Sequence, residues 1–320
     1  MNKPKVAFFC NNSNKFRQVY GEKRMELIGS LSDLYPEIIS SATIDSTDMS
    51  QVEYLFSTWG MAEFSEEQLD KMPNLKAVFY AAGATDAFCR PLLARGIHVL
   101  SAWRANAIPV AEFTVAQIIL GLKNYFQRAR TLHQRSDWHW DQAPGAYGRT
   151  VALIGNGMIS QHVQKLLQSY DLEVIVIPSR TENRTISLEE AFARAQVVSN
   201  HLPNRDDNIG VLNGKLFASM PEYGVFINTG RGRQVNEPEL CEVLTQRPDL
   251  TALLDVTYPE PPEDGSPLYN MPNVFLSPHI AGSINDEFGR MADYMIDEFK
   301  RCLAGEPFQH EVSESMLITS

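Results

Sequence analysis

The sequence predicts an α/β protein built on parallel sheets, and three observations carry that reading. Short apolar runs alternate with longer stretches of helical period along the chain. One run, TVALI (150–154), leads straight into Gly155-Asn156-Gly157 and then a helical stretch. Three later runs each end in polar residues, as strands do at the carboxyl edge of an open parallel sheet, where ligands bind. At 320 residues the chain exceeds one average domain of about 100–200 residues, so two domains are expected.

Taken in order, KVAFFC (5–10) reads as a strand and KFRQVYGEKRMELIGSL (15–31) as a helix. YLFSTW (54–59) and KAVFYA (76–81) are strands around a helix, SEEQLDKM (65–72), whose Ser65 and Gln68 have capping-box spacing. Apolar residues recur on one broad face over 110–134, with no proline after Pro109, which predicts a single long helix. SDWHWDQAPGAYG (136–148) follows as a loop. LEVIVI (172–177) is the strand after the glycine turn, and Ser187 with Glu190 has capping-box spacing again. The proline-rich YPEPPEDGSP (258–267) separates two strands, TALLDV and VFLSP, and is a loop. A last helix over 284–305 would return the chain to its first domain.

Composition narrows the function. Hydrophobic residues at 44% and charged residues at 21% suit a soluble globular enzyme. A net charge of −11, without a concentrated basic patch, repels polyphosphate, so no nucleic acid is expected as a partner. Cys10, Cys89, Cys241 and Cys302 have neither C-x-x-C nor zinc spacing and read as reduced, mostly buried small hydrophobes. The N-terminus turns polar after a short apolar run, so neither a signal peptide nor a membrane partner is expected, and the location reads as cytoplasmic. His133, Trp138, His139 and Trp140 make no recognised ligand spacing; they read as loop packing, and no metal is expected.

The glycine turn has a physical purpose. Gly155 permits a tight turn, Gly157 removes a Cβ that would block a pyrophosphate, and the following helix offers free N–H groups. Ser160 stands where a third glycine is usual, a small residue but a departure. An acidic residue at the end of the next strand would bind ribose hydroxyls and favour NAD; here that place holds Ser179 and Arg180. A Ser-Arg pair can meet a 2′-phosphate, so NAD and NADP both stay open, and the plainer reading of Arg180 is a solvated loop residue.

VFINTGRGRQVNEPEL (225–240), LLDVTYPEPP (253–262) and VFLSPHIAGS (274–283) place an arginine, acids and a histidine at successive strand ends. Over about 75–305 these segments, in this order, resemble the D-isomer-specific 2-hydroxyacid dehydrogenase family, of the glycerate and phosphoglycerate dehydrogenase kind. The resemblance implies a Rossmann doubly wound NAD(P)-binding domain over 104–283. It also implies a smaller flavodoxin-like substrate domain over 1–103 and 284–320. It carries the catalytic roles to Arg231, Glu260 and His279, and nicotinamide contact to Asp255. It also places Met158, Ile159, Pro203, Thr229, Gly230 and Gly282 with the glycine turn around the cofactor. VAEF (110–113) matches the family's linker helix, and Asn106 an asparagine just before it.

The chemistry is consistent with those roles. Hydride reduction of a ketone builds negative charge on oxygen, and a histidine is a suitable proton donor. Glu260 would orient the ring and favour the imidazolium. A guanidinium at Arg231 suits a substrate carboxylate and carbonyl. Singly, each residue has a blander reading as a packed or solvated side chain; three strand ends supplying one mechanism's groups outweigh it.

YAAGATDAF (80–88) follows a strand, and the family uses such a turn to offer N–H groups to a substrate carboxylate, here from Ala82, Gly83 and Ala84. Arg104, beside Trp103, is a candidate anion contact, with a surface salt bridge as the alternative. The expected activity is exchange of hydride between NAD(P)H and a small 2-keto or D-2-hydroxy acid such as hydroxypyruvate or glyoxylate. The family also implies a homodimer through the 110–134 helix. A dinucleotide-sensing corepressor on the same fold is the alternative, disfavoured by the near absence of tails. Formate oxidation is disfavoured by Glu260, where the formate enzymes have glutamine.

Overall fold

Parallel strands organise both halves of the protein, seen in a computed structural model that describes residues 3–138 and 143–319. The chain divides into two units, Met1–Asn106 with Ser283–Ile318, and Ala107–Gly282.

In the first unit, β1 (Lys5–Phe9), β2 (Asp33–Ile39), β3 (Tyr54–Ser57), β4 (Ala77–Tyr80) and β5 (His98–Ser101) pair in parallel in the order β2-β1-β3-β4-β5. Helices α1 (Ser13–Leu31), α2 (Glu66–Asp70) and α3 (Cys89–Ala94) connect them. Each inner strand feeds both faces: Ala77 and Phe79 enter one core, Val78 and Tyr80 the other. That is period-two patterning with both faces covered. The edge strand β2 slips register against β1 between Leu34 and Ile38, where Pro36 can donate no ladder bond. Ser65 forms the expected capping box with Gln68.

From β5 the chain enters α4 (Trp103–Leu122) and then α5 (Tyr125–Thr131). The single helix expected over 110–134 is therefore two. Asn124 takes a left-handed φ of 51° and breaks the ladder, while Pro109 is accommodated inside α4. α4 is long and apolar enough to cross a membrane, but most of it is buried in the protein, as a core helix is.

The second unit carries β6 (Arg149–Ile154), β7 (Leu172–Ile177), β8 (Val197–Asn200), β9 (Val225–Asn228), β10 (Thr251–Leu254) and β11 (Val274–Leu276). They form one parallel sheet in the order β11-β10-β9-β8-β6-β7, a doubly wound Rossmann arrangement. Helices α6 (Met158–Leu167), α7 (Leu188–Arg194), α8 (Gly214–Ala218) and α9 (Glu237–Gln246) connect the strands. Ser187 caps α7 through the Glu190 amide, but Glu190's carboxylate pairs with Arg194, so only half of the expected box forms. The chain then rejoins the first unit through α10 (Phe288–Ala304) and α11 (Glu314–Thr319). α10 buries Phe299 among Tyr54, Phe56 and Phe79 and ends at the left-handed Gly305.

Two smaller expectations need correction. Trp138 is 63% exposed rather than packed in its loop; His139 and Trp140 lie outside the described residues. Of the four free cysteines only Cys10 and Cys89 are fully buried.

Candidate active site

The strand order of the second unit reverses at β6, which has β7 on one side and β8 on the other. Such a reversal opens a crevice at the carboxyl edge, and the glycine turn stands there. Gly155 has φ +108°, and a Cβ on it would lie 2.3 Å from the His201 carbonyl oxygen, so only glycine fits. α6 begins at Gly157 with no side chain capping it, leaving its first N–H groups available. A Cβ on Gly157 would meet nothing within 4 Å. Ser160 is fully buried, so its small side chain serves where a third glycine is usual. These residues fit the pyrophosphate of a dinucleotide.

Around the end of β7 stand Arg180, Arg184 and Arg205, with the Asp207 carboxylate beside two of them. Arg205 grips Asp207 with two bonds of 2.7 and 2.9 Å and approaches Ser179 Oγ at 3.5 Å. Arg180 stands 3.8 Å from the same carboxylate. Arg205, then Arg180, hold the Asp207 carboxyl below its usual range. Arg184 donates to the carbonyls of Pro178 and Ser179 and fixes the strand end. Of this group the sequence reading singled out only Ser179 and Arg180. Arg205 and Asp207 enter from the loop after β8, and the signal that could have found them is their position after a strand end.

β9, β10 and β11 are neighbours, so their carboxyl ends lie side by side. His279, after β11, has its Nδ1 2.6 Å from Glu260 Oε1, after β10. Both side chains are partly exposed. His279 itself sits at φ +53°, in the left-handed region that residues other than glycine seldom adopt. Its amide donates to the carbonyls of Asp255 and Ser277, each at 3.0 Å. The buried Asp255 carboxylate then accepts from Ser277 Oγ and from the amides of Ile280 and Ala281, both at 2.9 Å. Asp255 is thus the anchor of the turn that presents the histidine, a task its resemblance-based assignment to nicotinamide did not include.

Arg231 follows β9. Its guanidinium donates to the Gly230 carbonyl at 2.9 Å, and among the described residues no bond ties it to Glu260 or His279. What brings its loop against theirs is Gly232: a Cβ there would lie 2.0 Å from the Thr257 carbonyl. Thr229 is buried against Thr114, their hydroxyls 3.2 Å apart. The Pro203 carbonyl accepts from Asn208 and Gln234.

In the first unit, Ser101 Oγ lies 2.8 and 2.7 Å from the carbonyls of Ala82 and Gly83 and holds their turn. Asn106 lies beside Gly83, and its Oδ1 accepts from the Ser283 amide at 2.9 Å. Ala84 is exposed. Arg104 forms no ion pair among the described residues; its guanidinium lies over the Trp103 ring at 4.9 Å.

The model of the D-isomer specific 2-hydroxyacid dehydrogenase NAD binding domain matches residues 116–281, which contain the glycine turn, the three strand ends and His279. The chain belongs to the D-isomer-specific 2-hydroxyacid dehydrogenase family. YoaD of Bacillus subtilis, which bears a 2-hydroxyacid dehydrogenase name, is 32% identical over 205 residues, and the match spans 59% of each protein. The glycerate dehydrogenase of Methylorubrum extorquens is 26% identical over 256 residues, spanning 75% of this chain and 80% of that one. A solved 2-hydroxyacid dehydrogenase from Rhizobium etli CFN 42 shares the fold, with a TM-score of 0.75 at 22% identity over 99% of this chain and 100% of that one. Within the family frame, the second unit is the NAD-binding domain.

Proposed function

We propose that this dehydrogenase reduces a small 2-keto acid, of the hydroxypyruvate or glyoxylate kind, with NADPH as the preferred cofactor. The observation that carries the reading is the 2.6 Å contact between His279 and Glu260 on strand ends adjoining that of Arg231. With Nδ1–H held by the carboxylate, Nε2 of the imidazolium is the proton donor. Arg231 offers paired N–H groups to the substrate carboxylate and polarises the carbonyl. A nicotinamide, when bound, would supply the hydride; His279 gives the proton to the carbonyl oxygen as the 2-hydroxy acid forms. Asp255 keeps one acceptor position on Oδ2 beyond its three bonds, enough to hold a carboxamide.

Support for NADPH comes from Arg180 and Arg205 at one carboxylate, with the Ser179 hydroxyl beside Arg205. A 2′-phosphate would compete with Asp207 for these two guanidiniums. Arg180→Ala with Arg205→Ala should raise KM for NADPH at least tenfold and leave that for NADH within about twofold. We also propose a homodimer through α4 and α5, where Leu120, Tyr125 and Leu132 are exposed apolar residues; a monomer by light scattering at micromolar concentration overturns that part.

The test is absorbance at 340 nm with NADPH and NADH against a panel of 2-keto acids, with His279→Ala as control. Turnover of a small keto acid that disappears in the variant is expected. Tight cofactor binding with no turnover on any acid would leave a cofactor-sensing role and sink the enzymatic one.

A further inference from the structure

Behind Arg231 lies a buried chain of three amide side chains that none of the assigned roles uses. Asn200 ends β8 and Asn228 ends β9, and the two are register partners. The Asn200 Nδ2 donates to Asn228 Oδ1 at 2.9 Å and to Gln234 Oε1 at 2.6 Å, while its Oδ1 accepts from the Leu202 amide at 3.1 Å. Asn228 Oδ1 also accepts from the Gly230 amide at 3.1 Å, and its Nδ2 donates to the Arg231 carbonyl at 3.2 Å. Gln234 Nε2 donates to the carbonyls of Leu202 and Pro203 at 2.9 and 2.8 Å.

Each amide has one permitted orientation. Flipping Asn200 would set its oxygen against two other oxygens, and flipping Asn228 would set its oxygen against the Arg231 carbonyl. All three side chains are at most 1% exposed, so water cannot replace a lost partner. The direction of Asn200 therefore dictates that of Asn228, and Asn228 holds both the Gly230 amide and the Arg231 carbonyl. Arg231's own guanidinium closes the turn on the Gly230 carbonyl. A leucine at position 200 would fill the space but leave the Leu202 amide and the Gln234 Oε1 without the partner that Asn200 supplies.

We propose that Asn200, acting through Asn228 and Gln234, is a positioning residue that sets the direction of the Arg231 side chain. The proposal rests on the catalytic reading of Arg231 for its kinetic consequence, but not for its structural one. Asn200→Asp keeps the acceptor for Leu202 and replaces the donor by an acceptor facing Asn228 and Gln234. Asn200→Ser removes the amide with less electrostatic cost and serves if the first variant folds poorly.

The first measurement is the rate at which phenylglyoxal labels Arg231, read by mass spectrometry on the full chain. At least a threefold change from wild type is expected in whichever variant folds, and an unchanged rate overturns the proposal whether or not the protein reduces keto acids. The second is a kinetic cycle with Arg231→Lys. In the wild-type background the Asn200 substitution should raise KM for the keto acid at least tenfold, and in the Arg231→Lys background it should cost under twofold. Equal losses in both backgrounds would show a general structural defect and overturn positioning through Arg231. A wild-type enzyme with no reductase activity, but with altered labelling in the variant, would sink the proposed reaction and keep the positioning role.

Discussion

Glu260 reaches the histidine of the next strand end, its Oε1 2.6 Å from Nδ1 of His279. With Nδ1 so occupied, proton transfer is left to Nε2. His279→Ala should lower kcat by about 10²–10⁴, the range for losing a general acid. Glu260→Gln keeps a hydrogen-bond acceptor but loses the charge, and should lower kcat by about tenfold or more while the Kd for NADPH, followed by fluorescence, stays within twofold. If Glu260→Gln turns over as fast as wild type, the pair is not the proton donor.

Asp255 predicts a different phenotype. Its three accepted bonds hold a turn in which His279 has φ +53°. Asp255→Asn places an N–H group where an acceptor is needed, at a cost of about 1–3 kcal/mol for a buried donor left unpaired. Urea unfolding should show a loss of that size, and kcat should fall at least tenfold. Full stability with full kcat would mean that the backbone bonds alone hold the turn.

Neighbouring glycines should respond in opposite ways. Gly155→Ala puts a methyl group 2.3 Å from the His201 carbonyl at a left-handed φ, so a large drop in thermal midpoint is expected. Gly157→Ala meets no protein atom within 4 Å, so the midpoint should hold while NADPH binding weakens at least tenfold. Unchanged cofactor affinity in Gly157→Ala would move the pyrophosphate elsewhere.

Acid stability should report His201. Burial pushes this imidazole down to about 4, against about 6.5 when unfolded. Below about pH 6.5 the unfolded chain takes up a proton that the folded chain refuses until about pH 4. Stability present above pH 6.5 is therefore lost on acidification across that window, by about 3 kcal/mol. Urea midpoints at pH 7.5 and 4.5 should fall further apart in wild type than in His201→Gln, in which other titrations are shared and cancel. Equal losses in the two proteins would exclude His201 as the source.

Much of this architecture was legible as one-dimensional pattern. Runs such as KAVFYA and TVALI announce buried parallel strands because both faces of such a sheet are covered, and Gly155 announces a turn because no other residue tolerates its φ. The break at Asn124 was not legible: an apolar stripe continues through it, and only the backbone shows the left-handed residue that ends one helix and starts the next. Nor did Trp138, an aromatic among polar residues, disclose that it would face solvent.

By itself, then, the sequence determined the sheet classes, the glycine turn and the kinds of group at successive strand ends, because periodicity and side-chain chemistry are local properties. Only the tertiary structure decided which groups meet: Glu260 with His279, Asp255 with the turn beyond it, Asn200 with Gln234. Most of these partners come from different strand ends, and the order β11-β10-β9-β8-β6-β7 that makes those ends neighbours arises from packing both faces of the sheet at once, which no single segment encodes.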